Sequence, residues 1–334
     1  MRKTILSLLA LLCFSGVEAQ NQMQSRKIQD INIRDPFILP VEKEGVYYMY
    51  ASSSTRQGDK YYGGMVAWKS RDLENWEGPI RVFDVPHDNW ITGGVWAPEV
   101  HKYKGKYYLF ATMNTDITWK GGNCNGAKYT LRGTQIFWSK SPEGPFVAFE
   151  DKMPATPIDH MCLDGTLWVE DSRPYMIYCH EWVELLDGEM KLVELKKDLS
   201  ATVGEHKRLF CASAAPWGVG SYNTEQKNFV TDGCFLYRTK TGKLLMIWSS
   251  FGKDGYAVGI AESTTGKVIG PWRQQAKPLY EKHGGHGMIF RDFEGRLCLV
   301  LHAPNSPSGK ERAHIFEIED LGETLRLKGE ITKY

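Results

Sequence analysis

The sequence predicts an all-β protein, a five-bladed β-propeller, on three observations. Gly (33), Trp (11) and Tyr (16) are abundant and segments of helical period are few, a profile of tight turns and aromatic-lined surfaces. One phrase, a hairpin of two apolar strands followed by a third strand, recurs five times. Its spacing of roughly sixty residues suits a four-stranded sheet with loops. A β-sandwich or a jelly roll has no need of the same phrase five times.

The chain opens Met1-Arg2-Lys3, runs apolar over 5–17 and reaches Val17-Glu18-Ala19. A basic start, a short apolar core and small residues predict a secretory signal peptide over 1–19, with one propeller domain over 20–334. The apolar run is too short to span a bilayer, and no second run is longer. Leu11-Leu12 before Cys13 lacks the small residue that lipid attachment uses, so export to the periplasm or the medium is expected ahead of a lipoprotein.

The second strands of the five hairpins read Val46-Tyr47-Tyr48-Met49-Tyr50, Tyr107-Tyr108-Leu109-Phe110, Pro174-Tyr175-Met176-Ile177-Tyr178, Leu244-Leu245-Met246-Ile247 and Leu297-Cys298-Leu299-Val300. First strands precede them at 37–39, 100–103, 167–169, 235–237 and 288–290, and third strands follow at 64–68, 133–138, 190–195, 255–261 and 314–318. Between these elements, 53–63, 115–132, 183–189 and 212–230 read as long irregular loops of the kind that shape a substrate site. The closing strand is expected from near a terminus.

Net charge is +1, which gives no electrostatic case for nucleic acid. Cys124, Cys162, Cys179, Cys211, Cys234 and Cys298 contain no C-x-x-C pair, so buried free thiols are expected rather than a metal cluster.

Counting back from each second strand finds Asp35 twelve residues before Tyr47, Asp164 eleven before Tyr175, Asp232 twelve before Leu244 and His286 eleven before Leu297. Trp96, with Pro98-Glu99 after it, fills the slot in the second repeat. The innermost strands of a propeller start at one end of its channel, so a repeated slot becomes a ring of side chains. Asp favours turns, which explains any one of these acids but explains three in equivalent slots less well. Converging carboxyls raise one another's proton affinity, and a base, an acid and a tuning carboxylate are what glycosidic cleavage requires.

Arg34-Asp35-Pro36-Phe37, Trp96-Ala97-Pro98-Glu99, Leu163-Asp164-Gly165 and Gly285-His286-Gly287 together resemble glycoside hydrolase family 43, in order and over essentially the whole mature chain. The resemblance implies a propeller that hydrolyses arabinose- or xylose-containing plant oligo- and polysaccharides with inversion, most simply as an α-L-arabinofuranosidase. It implies Asp35 as general base and Asp164 as the residue that tunes and holds the acid. His286 matches a histidine that in some members belongs to a calcium and water site. No cofactor is required, and a structural calcium is carried over only by the resemblance. A monomer is expected.

The family usually opens its fourth blade with Glu-Gly-Pro, whose Glu is the general acid. Here the sequence is Thr231-Asp232-Gly233-Cys234. Asp is one methylene shorter, and displacement on that scale costs about a hundredfold in rate. Glu181, in His180-Glu181-Trp182, ends a strand that returns to the face where Asp164 begins. It is preferred as proton donor, with Asp232 as a supporting carboxylate, and the reverse assignment stays open. The alternative function is a carbohydrate-binding propeller that has lost its acid. Trp96, Trp182 and Trp217 are candidates to stack on sugar faces, and Trp68, Trp138, Trp168, Trp248 and Trp272 read as blade core. Glu99 either binds a sugar or ties blade two to its neighbour through backbone amides. His302 is placed equally as support at the site or as a buried histidine.

Overall fold

A computed structural model describes residues 24–57, 60–86, 90–221 and 226–332. The expected signal peptide and Cys13 lie outside the described residues. The described strands form five antiparallel sheets, each built from consecutive strands.

Blade one contains β1 (Ser25–Lys27), β2 (Phe37–Val41), β3 (Val46–Gln57), β4 (Lys60–Ser70) and β5 (Asn75–Asp84). Blade two is β6 (Val95–Tyr103), β7 (Lys106–Cys124), β8 (Ala127–Ser139) and β9 (Val147–Ala148). Blade three is β10 (Cys162–Glu170), β11 (Arg173–His180), β12 (Glu189–Leu195) and β13 (Thr202–Cys211), with the one-turn helix α1 (Trp182–Leu185) after β11. Blade four is β14 (Asp232–Arg238), β15 (Leu244–Gly252), β16 (Gly255–Ser263) and β17 (Trp272–Gln274). Blade five is β18 (Gly285–Arg291), β19 (Leu297–Ala303), β20 (Arg312–Asp320) and β21 (Leu325–Glu330).

The second strands read as unbroken apolar runs because each blade is covered on both faces by its neighbours. All of β19 is buried, as is β15 from Leu244 to Ser250. Trp248 is fully buried, its indole N–H donating to Gln274 Oε1 at 3.0 Å. Trp68 is buried, while Trp138, Trp168 and Trp272 pack at the edges of the apolar clusters. Of the six cysteines among the described residues, Cys211 alone is not buried.

One expectation is corrected. Residues 53–57, 60–63 and 115–132 are extensions of the β3–β4 and β7–β8 hairpins rather than irregular loops. The polar, glycine-rich composition of those arms hides their strand character from a pattern search. Among the described residues no strand is shared between the first and last blades. β1 adds to the outer edge of its own blade, on β5, and β21 completes blade five.

The seam between blades five and one is held by contacts of another kind. The Ile33 N–H donates to the Glu311 carbonyl at 3.2 Å, the Asn32 amide to the same carbonyl at 3.0 Å, and Arg312 Nε to the Gln29 carbonyl at 2.7 Å.

Core and site tryptophans should separate in a denaturation experiment. Trp248→Ala opens a cavity and leaves Gln274 without its donor, so it should cost about 3–5 kcal/mol. Trp96, which is 42% exposed, should cost within about 0.5 kcal/mol on the same change. Similar urea midpoints for the two variants would contradict this placement.

Candidate active site

Four of the five blades break their first ladder near its start, between Trp96 and Glu99, Leu163 and Thr166, Asp232 and Phe235, and Gly285 and Met288. In blade one, Pro36 precedes β2 and does the same work, because it has no N–H to give. A residue with left-handed backbone stands at this place in every blade: Asp35 (φ 51°), Ala97 (43°), Asp164 (56°), Gly233 (51°) and His286 (51°). Asp, His and Gly are the residue types that tolerate this conformation best.

These angles correct the ring drawn from the sequence. Asp35, Asp164 and His286 are equivalent, but the equivalent residues in blades two and four are Ala97 and Gly233. Trp96 and Asp232 stand one position earlier, level with Arg34, Leu163 and Gly285. Gly233 is required where it stands, since a Cβ there would come within 2.7 Å of the His286 ring.

Asp35, Asp164, Glu181, Asp232 and His286 line a single cavity of about 350 Å³, with Trp96 and Trp182 on its wall. This size lies at the lower end of ligand sites, roughly 300–1,000 Å³. Glu181 arrives as expected, because β11 returns beside the start of β10, where Cys162 faces His180.

The carboxyls fall into two electrostatic classes. Burial alone would push Asp35 up, but His286 Nδ1 at 3.2 Å, His302 Nδ1 at 3.1 Å and Arg34 Nε at 3.9 Å hold it far below the usual carboxylate range. Asp164 is pushed up to about 8, by burial first and then by Asp232 and Asp35, against the opposing field of His286. Burial also raises Asp232, despite His286 and a 2.8 Å hydrogen bond from the Tyr256 hydroxyl. Glu181 is raised by burial, although it is ion-paired with Arg132, which opposes the shift. His286 is raised in spite of burial, by the charges of Asp35, Asp164 and Asp232.

His286 Nδ1 faces Asp35 at 3.2 Å and, at 3.8 Å, Asp164, so carboxylates engage it directly, whereas calcium takes six to eight oxygen ligands.

Two expected sugar contacts lie elsewhere, and His302 takes a supporting place. Trp217 is 7% exposed and packs on Trp248 and on Gly259, where a Cβ would sit 2.1 Å from its ring; flatness against a glycine makes it core. Glu99 is buried and takes a 2.7 Å hydrogen bond from His101 Nε2 rather than from neighbouring amides. His302 is fully buried behind Asp35 and positions it, with the Asp35 N–H 3.2 Å from His302 Nδ1. Sequence reasoning missed Arg132 and Tyr256. Arg132 pairs with Glu181, donates to Asn114 Oδ1 at 2.7 Å and lies 4.6 Å over the Trp96 ring. Neither residue sits in a repeated slot, so a search by repeat passes over both.

The raised Asp164 makes stability depend on pH. Between about pH 4 and 8 the folded chain keeps a proton that the unfolded chain releases, so stability falls as pH rises through this window. The raised His286 acts in the same direction above its ordinary value. Asp164→Asn should therefore melt higher than wild type at pH 8, with the gap closing towards pH 4. A gap independent of pH in differential scanning fluorimetry would contradict the shift.

Comparison with known proteins agrees with this geometry. The sequence profile described as Glycosyl hydrolases family 43 matches residues 28–322. The chain is 39% identical to a structure described as the endo-arabinase from Bacteroides thetaiotaomicron VPI-5482, with a TM-score of 0.74, covering 88% of this chain and 96% of that one. It is 24% identical over 337 residues to the extracellular exo-alpha-(1->5)-L-arabinofuranosidase ArbA of Cellvibrio japonicus, covering 89% of this chain and 84% of that protein. A thermostable family-43 glycoside hydrolase shares the fold at 23% identity, with a TM-score of 0.74 over 91% of this chain and 95% of that one. With five blades, acids gathered at one mouth of the ring and a profile match over most of its length, the chain belongs to glycosyl hydrolase family 43.

Proposed function

We propose that the protein hydrolyses α-L-arabinofuranosyl linkages in plant-type oligo- and polysaccharides, with inversion at the anomeric carbon. The observation that carries this reading is the split within one cavity, where Asp35 is held ionised and the other carboxyls are pushed towards their protonated forms. Titratable groups driven apart in this way identify base and acid. The arabinose-directed names of the relatives at 39% and 24% identity support the sugar. The small cavity suits a terminal unit.

Asp35 acts as general base. It takes a proton from a water molecule as the water oxygen bonds to the anomeric carbon. The glycosidic C–O bond breaks, and Glu181 gives its proton to the leaving oxygen. Arg132, already beside Glu181, then stabilises the carboxylate left behind. His286, His302 and Arg34 set the field in which Asp35 stays charged. Asp232, held by Tyr256, accepts a hydrogen bond from a sugar hydroxyl, and Trp96 offers its exposed face to the ring. For inversion, base and acid carboxyls need roughly 6.5–9.5 Å between them to admit the water.

Asp35→Asn should lower kcat/KM by about 10²–10⁴-fold on every arabinofuranoside; unchanged activity would sink the assignment. Glu181→Gln should abolish cleavage of arabino-oligosaccharides but spare much of the turnover of 4-nitrophenyl α-L-arabinofuranoside, whose leaving group needs no proton. The same split in Asp232→Asn would make Asp232 the donor. Proton NMR of the first-formed sugar should show the inverted anomer, and a retained anomer would overturn direct attack by water. No hydrolysis of aryl glycosides, arabinan or xylan fragments, with binding intact, would point to a carbohydrate-binding propeller.

A further inference from the structure

Beside the cavity, three metal-ligating side chains meet from separate segments. His160 precedes β10, His180 ends β11 and Glu184 lies in α1. His160 Nδ1 is 3.3 Å from Glu184 Oε1, and His180 Nε2 is 2.9 Å from Glu184 Oε2. The two imidazole rings are 4.4 Å apart, and all three donor atoms lie within 4.8 Å of one another.

We propose that His160 Nδ1, His180 Nε2 and the Glu184 carboxylate bind a divalent transition metal of the zinc class, which fixes the segment carrying Glu181. Two imidazoles and one carboxylate form a borderline donor set, suited to zinc, whereas calcium and magnesium prefer oxygen alone. Tetrahedral zinc with bonds of ~2.0–2.1 Å holds its donors about 3.4 Å apart. The two histidine-to-carboxylate separations are close to that spacing already. His180 is buried, whereas the His160 side chain is 42% exposed, so a water can complete the fourth position from that side. Each ring binds the ion once its proton moves to the other nitrogen or leaves.

The position of the cluster gives the ion its role. The Met161 N–H donates to Glu184 Oε2 at 2.8 Å, and the Glu181 N–H donates to the Met161 carbonyl at 2.9 Å. Met161 also bridges Arg132. One residue beside the cluster therefore touches the backbones of both partners in the Arg132–Glu181 pair. The ion would act through these residues and would not meet the sugar. His160, His180 and Glu184 are positioning residues. Binding of the ion is independent of which carboxyl donates the proton, and its effect on kcat rests on Glu181 as the donor.

The test uses the full chain, stripped with EDTA and titrated with zinc sulfate. One zinc per chain by plasma mass spectrometry is expected, with a rise in melting temperature of a few degrees. His160→Ala, at an exposed side chain, should lose both effects while remaining folded by circular dichroism. Cobalt(II) should give the visible absorption of a tetrahedral site in wild type and not in that variant. Loading should raise kcat with little change in KM. Glu181→Gln should still take up zinc although inactive on oligosaccharides, which separates failure of this site from failure of the proton-donor assignment. Uptake well below one equivalent, uptake unchanged in His160→Ala, or an equal response to calcium would overturn the proposal.

Discussion

An N–H group in left-handed backbone at the head of a strand faces away from its own ladder and must find an acceptor elsewhere, since burying it unpaired costs about 1–3 kcal/mol. The second strand of the preceding blade supplies that acceptor at three of the five positions. Thr112 Oγ1 accepts from Asp164 at 2.8 Å, Ser249 Oγ accepts from His286 at 2.8 Å, and His302 Nδ1 lies 3.2 Å from the Asp35 nitrogen. These acceptors occupy matching places, since Thr112 faces Trp96, Ser249 faces Asp232 and His302 faces Gly285 across their hairpins. In blade three the matching residue, facing Leu163, is Cys179, a poor acceptor. There the Gly233 N–H turns instead to the Asp164 carboxylate at 3.1 Å. The Asp164 carboxylate in the cavity thus also holds the next blade in register.

This arrangement explains why the fold and most of the acids are legible in the sequence. The hairpin phrase repeats because every blade solves the same packing problem, and Asp35, Asp164 and His286 repeat because few residue types accept their backbone angle. Counting from the second strand gives Asp232 and Trp96 one position early. Spacing alone cannot tell a left-handed residue from the one before it. Arg132 was illegible for a different reason. It lies on the long β8 arm, whose polar composition reads as loop, and it meets Glu181 only because Met161 runs beside both. Trp217 shows the converse. Its chain context suggests a loop, and only the bare surface of Gly259 on the adjoining strand draws it into the core.

The site also shows how one ring of like-charged groups can do unlike chemistry. Asp164 and Glu181 are buried and Asp35 and Asp232 half-buried, so desolvation acts on each in the same sense. What separates them is the placement of their neighbours. His286, His302 and Arg34 gather on Asp35, while Asp164 shares His286 with it and lies between two other acids. A small shift of His286 would redistribute charge among the acids without changing the shape of the cavity.

The seam has a consequence for how the protein comes into being. Asp35 belongs to the first blade, yet His286 and His302, which help hold its carboxylate ionised, belong to the last. Some 250 residues of chain lie between them, judged from the numbering of Asp35 and His286. During synthesis the first four blades can form with Asp35 still lacking both histidines. The charge state of Asp35 is therefore fixed only when the final blade docks and the circle closes.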